Sequence, residues 1–122
     1  MPTTVLLTGG AGFIGSNLVR MLLTERPDWR IVNVDKLTYA GSMENLRDLP
    51  NASKFEFVRG DIANSSDVQN AFDTFEPSHV LNFAAESHVD RSIDGPRAFI
   101  DTNIVGTFEL LEAARRRYAA LP

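Results

Sequence analysis

Thr4-Val-Leu-Leu-Thr-Gly-Gly-Ala-Gly-Phe-Ile-Gly15 is the stretch on which the reading of this chain turns. Val5 to Leu7 form a short apolar, β-prone run, and glycines at 9, 10, 12 and 15 follow at once. A segment with Ile14, Leu18, Met21, Leu22 and Glu25 at helical spacing comes next. Strand, glycine loop and helix read as the opening of a nucleotide-binding βαβ unit. Gly10-Ala-Gly12-Phe-Ile-Gly15 fits G-x-G-x-x-G, and Gly9 adds the earlier glycine of a G-x-x-G-x-x-G variant. In this pattern the early glycines allow a tight turn, the middle one admits a pyrophosphate close to the backbone, and the last lets helix pack on strand. The N–H groups and positive dipole end of the helix then face the phosphates.

A glycine-rich turn alone is a weak signal. The next strand supplies the context, because Ile31-Val-Asn-Val34 is apolar and ends at Asp35, twenty residues beyond Gly15. That is the register at which an acid meets the adenosine ribose hydroxyls of a dinucleotide. Lys36 reads either as a solvated loop charge or as a partner for a 2′-phosphate. Asp35 argues against the second, since a carboxylate repels that phosphate. NAD is expected rather than NADP.

Outward from this motif the chain alternates. The first helix is expected over Gly12 to Glu25, stopped by Arg26-Pro27, since proline removes a backbone donor and displaces its predecessor from the α region. Lys36 to Ser42 form a polar loop, and Ser42 to Leu49 a short helical turn ended by Pro50. Phe55 to Val58 read as a third strand. Ser65-Ser-Asp67 are expected to cap a helix burying Val68, Ala71, Phe72 and Phe75. His79 to Ala85 read as a fourth strand, with too little alternation for a half-exposed sheet and so expected to be buried on both faces. Gly95-Pro96 open the last helix, with Phe99 or Ile100, Ile104, Phe108 and Leu111 as its apolar stripe. Gly106 inside that helix costs roughly 1 kcal/mol against alanine and implies close packing on a neighbour. Arg115 to Arg117 suit the negative dipole end and read as a solvated helix terminus. The expected fold is α/β, a Rossmann-type doubly wound parallel sheet with strand order 3-2-1-4. Residues 1–122 read as one NAD-binding unit, incomplete in that a fifth strand is expected to follow.

Composition narrows the rest. With 122 residues, 43% hydrophobic and 23% charged, the chain reads as one soluble globular unit. A net charge of −4 argues against a general nucleic-acid surface. The absence of cysteine excludes disulfides and thiolate metal sites, and no metal site is expected. Neither a signal segment nor a membrane span is legible, so no membrane association and a cytoplasmic location are expected.

The ends of strands one and four flank the crevice of a doubly wound sheet, which draws attention to Phe83-Ala-Ala-Glu-Ser87. Two alanines there either let a cofactor pass close to the backbone or simply fit beneath the glycine loop. Asp61 either caps the following helix or contacts an adenine with Ile62 packed on the base. His79 reads as structural and His88 as a solvated loop residue.

Thr8-Gly-Gly-Ala-Gly-Phe-Ile-Gly-Ser16, Val34-Asp-Lys-Leu-Thr-Tyr-Ala-Gly41, Gly60-Asp-Ile62, Ala84-Ala-Glu-Ser-His-Val-Asp-Arg-Ser-Ile93 and Thr102-Asn-Ile-Val-Gly-Thr107 occur in one order. Together they resemble the extended short-chain dehydrogenase/reductases (NAD-dependent epimerases and dehydratases), and within them the dTDP-glucose 4,6-dehydratases. The resemblance implies NAD contacted by Gly9, Gly12, Phe13, Ile14, Gly15, Asp35, Lys36, Leu37, Thr38, Asp61, Ile62, Phe83, Ala84, Ala85, Glu86, Ser87 and Thr102. It implies a nucleotide sugar, dTDP-glucose, reaching Ser87, and a homodimer built partly on the last helix. The implied reaction oxidises the sugar at C4, removes water across C5 and C6, and returns hydride to C6. One departure stands out. The family uses a Tyr-x-x-x-Lys pair to take the sugar hydroxyl proton, whereas Tyr39 and Tyr118 are followed four places on by Met43 and Pro122. No catalytic residue is therefore expected in this chain, which by itself is expected to be an inactive fragment. The alternatives are a nucleotide-sugar epimerase or decarboxylase of the same family, against which Glu86 to Ser92 weigh, and a stand-alone NAD-binding module without chemistry.

Overall fold

The computed structural model describes residues 2–37, 43–85 and 95–122. Its centre is a parallel sheet in the order β3-β2-β1-β4, with β1 Thr4–Thr8, β2 Arg30–Asp35, β3 Phe55–Arg59 and β4 His79–Asn82. The expected order holds. Alternate residues of the central strands point to opposite faces, and each face has its own helices. On one face Val5, Leu7 and Ile31 pack with Val19, Leu22 and Leu23 of α1, Phe13–Glu25. On the other Leu6, Val32 and Val34 pack with Val68, Ala71 and Phe72 of α2, Ser65–Phe75, and with Leu110 and Ala113 near the chain's end. Two 3₁₀ turns, Met43–Leu46 and Ala52–Lys54, connect β2 to β3.

Several local expectations are corrected. The buried face of α1 is Gly15, Ser16, Val19, Leu22 and Leu23, while Ile14 and Met21 are exposed. Gly15 sets that rotation: a Cβ on it would lie 2.1 Å from the Gly9 carbonyl oxygen, so this side of the helix must face the loop. Asn64, rather than Ser65 to Asp67 or Asp61, caps α2, its side chain accepting from the Asp67 N–H at 3.0 Å. β4 is shorter than expected and is not buried on both faces, since it forms an edge of the sheet and Val80 and Leu81 are only half-buried.

The last helical run comprises α3 (Pro96–Phe99), a π segment (Ile100–Gly106) and α4 (Thr107–Ala120). Its expected apolar stripe faces outward, with Ile104 63% and Phe108 57% exposed. Small residues took the buried side instead. A Cβ on Gly106 would sit 2.5 Å from Ile62 Cδ1, and Leu110 and Ala113 continue that face onto α2. The close packing inferred for Gly106 is therefore present. The arginines after it are more than a solvated terminus. Arg116 donates to Gln69 Oε1 at 2.9 Å, and Arg117 donates to the carbonyls of Pro77 and Glu76 at 2.7 and 3.0 Å. They tie α4 to α2 and to the turn that follows it.

Candidate functional site, a glycine loop gripped by its strands

β1 ends at Thr8, and Gly9 turns the chain with φ +73°, a conformation that disfavours residues with a Cβ. Space forbids one as well, because a Cβ on Gly9 would come within 2.6 Å of the Ala84 nitrogen and the Phe83 carbonyl. The glycine loop and the end of β4 are thus in contact, as the switch-point argument requires. Thr8 fastens them. Its Oγ1 accepts from the N–H groups of Phe83 and Ala84, each at 3.1 Å, and donates to Asn82 Oδ1.

The loop is held as firmly from β2. Gly10 N–H donates to Asn33 Oδ1 at 2.8 Å, and Ala11 N–H donates to Asp35 Oδ2 at 2.9 Å. The other Asp35 oxygen accepts from Leu37 N–H at 2.7 Å. From the far side Asn45 Nδ2 donates to the Ala11 carbonyl at 2.7 Å, and the Arg20 guanidinium of α1 holds the carbonyls of Asn45, Arg47 and Asp48. Gly12 is the N-cap of α1 and brings no side-chain acceptor, so the first-turn donors have no side-chain cap. Beside them Phe13 is 80% and Ile14 67% exposed. The sheet's own packing does not use these two side chains.

Beyond β2 and β3 lies an open cleft of about 410 Å³ lined by Lys36, Leu37, Arg59, Gly60, Asp61 and Asp67. Lys36 Nζ stands 3.4 Å from Asp61 Oδ2 across it. Asp61 Oδ1 also accepts from the Ala63 N–H at 2.9 Å, and Asp67 Oδ2 accepts from the Asp61 N–H at 3.0 Å. Ile62 is 5% exposed, its side chain committed to the core against Gly106.

Among the residues singled out from sequence, Gly9, Gly12, Phe13, Ile14, Gly15, Asp35 and Leu37 gather around the loop, with Phe83 and Ala84 against it. Lys36 and Asp61 meet in the cleft, Ala85 is exposed beyond β4, and Thr102 is half-buried in the π segment. Thr38, Glu86 and Ser87 lie outside the described residues, as do His88 and Tyr39. His79, read as structural, stacks its ring on Trp29 at 6.4 Å. Sequence reasoning missed Thr8, Asn33, Asn45 and Arg20 as loop anchors. Only Asn33 carried a visible signal, a lone amide in an apolar strand. Among the described residues no three His, Asp or Glu side chains are placed to hold a metal ion, and no helix is long and apolar enough to cross a membrane.

A parallel 3-2-1-4 sheet whose first strand ends in a gripped glycine loop defines a Rossmann-type nucleotide-binding unit. The chain belongs to the GDP-mannose 4,6 dehydratase family, whose model matches residues 6–120, within the extended short-chain dehydrogenase/reductases. It is 51% identical over 117 residues to a dTDP-glucose 4,6-dehydratase of Salmonella typhimurium, covering 96% of this chain and 32% of that protein. The chain thus spans about a third of the length of the curated relatives it matches. A dTDP-glucose 4,6-dehydratase from Streptomyces venezuelae, solved with NAD and TYD bound, superposes with a TM-score of 0.86 at 40% identity, over 95% of this chain and 37% of that one. A UDP-glucose 4-epimerase from Thermus thermophilus in complex with NAD gives 0.82 at 35% identity, over 95% and 35%.

Proposed function

We propose that this chain is the NAD-binding portion of a nucleotide-sugar 4,6-dehydratase that acts on dTDP-glucose. The observation that carries the reading is the Asp35 carboxylate, buried at the end of β2 and bonded to the glycine loop, in a chain half identical to such dehydratases. The residues present fit the cofactor. Each Asp35 oxygen accepts one backbone N–H and keeps a second lone pair for a ribose hydroxyl. The uncapped start of α1 suits a diphosphate, and exposed Phe13 and Ile14 beside it offer apolar surface. Lys36, Leu37, Asp61 and the backbone at Ile62 line the side on which an adenine belongs, with Thr38 next in sequence. Phe83, Ala84, Ala85, Glu86, Ser87 and Thr102 belong to the nicotinamide side, and Ser87 also to the sugar nucleotide.

Bound NAD would supply a reversible hydride acceptor for the sugar. The part of this chain in that chemistry is to bind and orient. Its sequence lacks a Tyr-x-x-x-Lys pair to move the C4 hydroxyl proton, so these residues alone give no turnover. A dehydratase is preferred to an epimerase because the curated relative at 51% identity is a dehydratase, and of the two structures superposed above the dehydratase is 40% and the epimerase 35% identical. The same reading makes the protein cytoplasmic and a homodimer, with exposed Ile104, Phe108 and Leu111 supplying apolar interface.

Titration calorimetry tests it. NAD is expected to bind and NADP to bind far more weakly. Asp35→Ala removes a charged acceptor whose hydrogen bonds contribute about 1.5–3 kcal/mol, weakening NAD roughly 10- to 100-fold. Equal affinity for the two cofactors, or an unaffected mutant, overturns the reading.

A further inference from the structure

Asn33 is the odd residue of β2. Its neighbours Ile31, Val32 and Val34 are core, and Asn33 itself is fully buried. An amide buried in a central strand is costly unless its polar groups are matched. Only half of this one is: Oδ1 accepts the Gly10 N–H, while Nδ2 is buried with no hydrogen-bond partner among the described residues. The orientation follows from the partner, because a backbone N–H requires the oxygen to face it. The amide and Gly10 are also matched in shape. A Cβ on Gly10 would lie 2.6 Å from Oδ1 and 2.7 Å from Cγ.

A leucine has the same branched outline but is larger, and it would strip the buried Gly10 N–H of its acceptor, a destabilising loss, so the asparagine is there to serve the loop rather than to fill the strand. What asparagine adds is a fixed acceptor under the loop. Asp35, two residues on and on the same face of the strand, does the same for Ala11. Two consecutive N–H groups are thereby turned onto β2, and the loop passes to α1 with its path set from below.

We propose that Asn33 is a positioning residue for dinucleotide binding: by holding the Gly10 N–H against β2 it fixes the loop so that the uncapped first turn of α1 faces the diphosphate. This rests on the NAD reading above. Asn33 acts through the loop, and its loss is expected to weaken affinity by more than an equal loss of stability elsewhere in the core would.

The experiment compares the wild-type chain with Asn33→Leu, and with the smaller Asn33→Val in case leucine does not fit. Three quantities are read: melting temperature, amide hydrogen exchange at Gly10, and NAD affinity. Melting is expected to fall by several degrees, the Gly10 amide to exchange at least tenfold faster with β2 still protected, and the NAD Kd to rise about three- to tenfold. Unchanged Gly10 exchange overturns the proposal, as does unchanged NAD affinity once Gly10 is released. Val68→Ala, a core truncation on α2 away from the loop, is expected to lower melting as much and leave NAD affinity unchanged; an equal loss of affinity there makes Asn33 merely structural and overturns the proposal, as does failure of both Asn33 variants to fold. A wild-type chain that binds no NAD overturns the functional reading instead, and the exchange comparison then decides by itself whether Asn33 holds the loop.

Discussion

The two ends of β1's neighbourhood are built in opposite ways. Around the glycine loop almost every backbone group is accounted for: Thr8, Asn33, Asp35 and Asn45 each take or give a hydrogen bond, and added methyl groups at Gly9, Gly10 and Gly15 meet atoms. Across the molecule, the last helical run turns Gly106, Leu110 and Ala113 inward and leaves Ile104, Phe108 and Leu111 in the open. The loop is over-determined and tolerates no change of volume. The helix carries apolar surface that its own fold does not need. Such surface points to a contact made elsewhere, whereas the loop's density of bonds points to a shape that must not drift.

Substitution should separate the two regions sharply. Gly15→Ala places a methyl 2.1 Å from the Gly9 carbonyl, an overlap of backbone on backbone that no rotamer relieves. A loss of about 3 kcal/mol or more is expected, seen as a melting temperature about 10 °C lower by circular dichroism. An unshifted melt would mean that the loop can move away from α1 after all. On the helix, Ile104→Lys with Phe108→Glu should change melting by less than about 0.5 kcal/mol per site, because both side chains are already exposed. The same variant should abolish the proposed homodimer, read by light scattering; a dimer that survives it places the interface elsewhere. The smallest effect is expected at Glu112, whose hydrogen bond from Arg115 at 2.8 Å lowers its carboxyl from the ordinary glutamate value. A lowered folded value contributes stability above the ordinary carboxyl pKa and loses it as pH falls through the folded one. The stability difference between wild type and Glu112→Gln should therefore shrink on acidification and vanish below that point. A difference that grows in acid would contradict the pairing.

The sheet order and the acid in register were legible because both depend on periodicity and spacing, which a sequence displays directly. Asp35 was found by counting from Gly15, and its burial agrees. Anchors such as Asn45 and Arg20 were not legible, since each acts on a backbone carbonyl or N–H brought near only by the fold. The last helix misled for a different reason. It has more apolar residues than one face can bury, and the choice between faces was made by the small ones, through the approach of Gly106 to Ile62. The burial expected of β4 failed because burial depends on what lies beside a strand, and β4 lies at the sheet's edge. Asn64 won the α2 cap over the serines beside it through where the chain enters the helix, a matter of one residue.

β1 pairs on one side with Arg30 to Val34 and on the other with His79 to Asn82. On a ribosome those two seams cannot close together. At elongation rates of about 5–20 residues per second, the second partner emerges roughly 2–10 s after the first. During that interval β1, α1 and β2 are available to pair, while the edge awaiting β4 has no partner. Hydrogen bonds that bridge 74 positions, such as Thr8 to Asn82, therefore wait for β4 to emerge. The contact of Gly9 with Ala84 forms no earlier, so the crevice closes only after its glycine loop has been made.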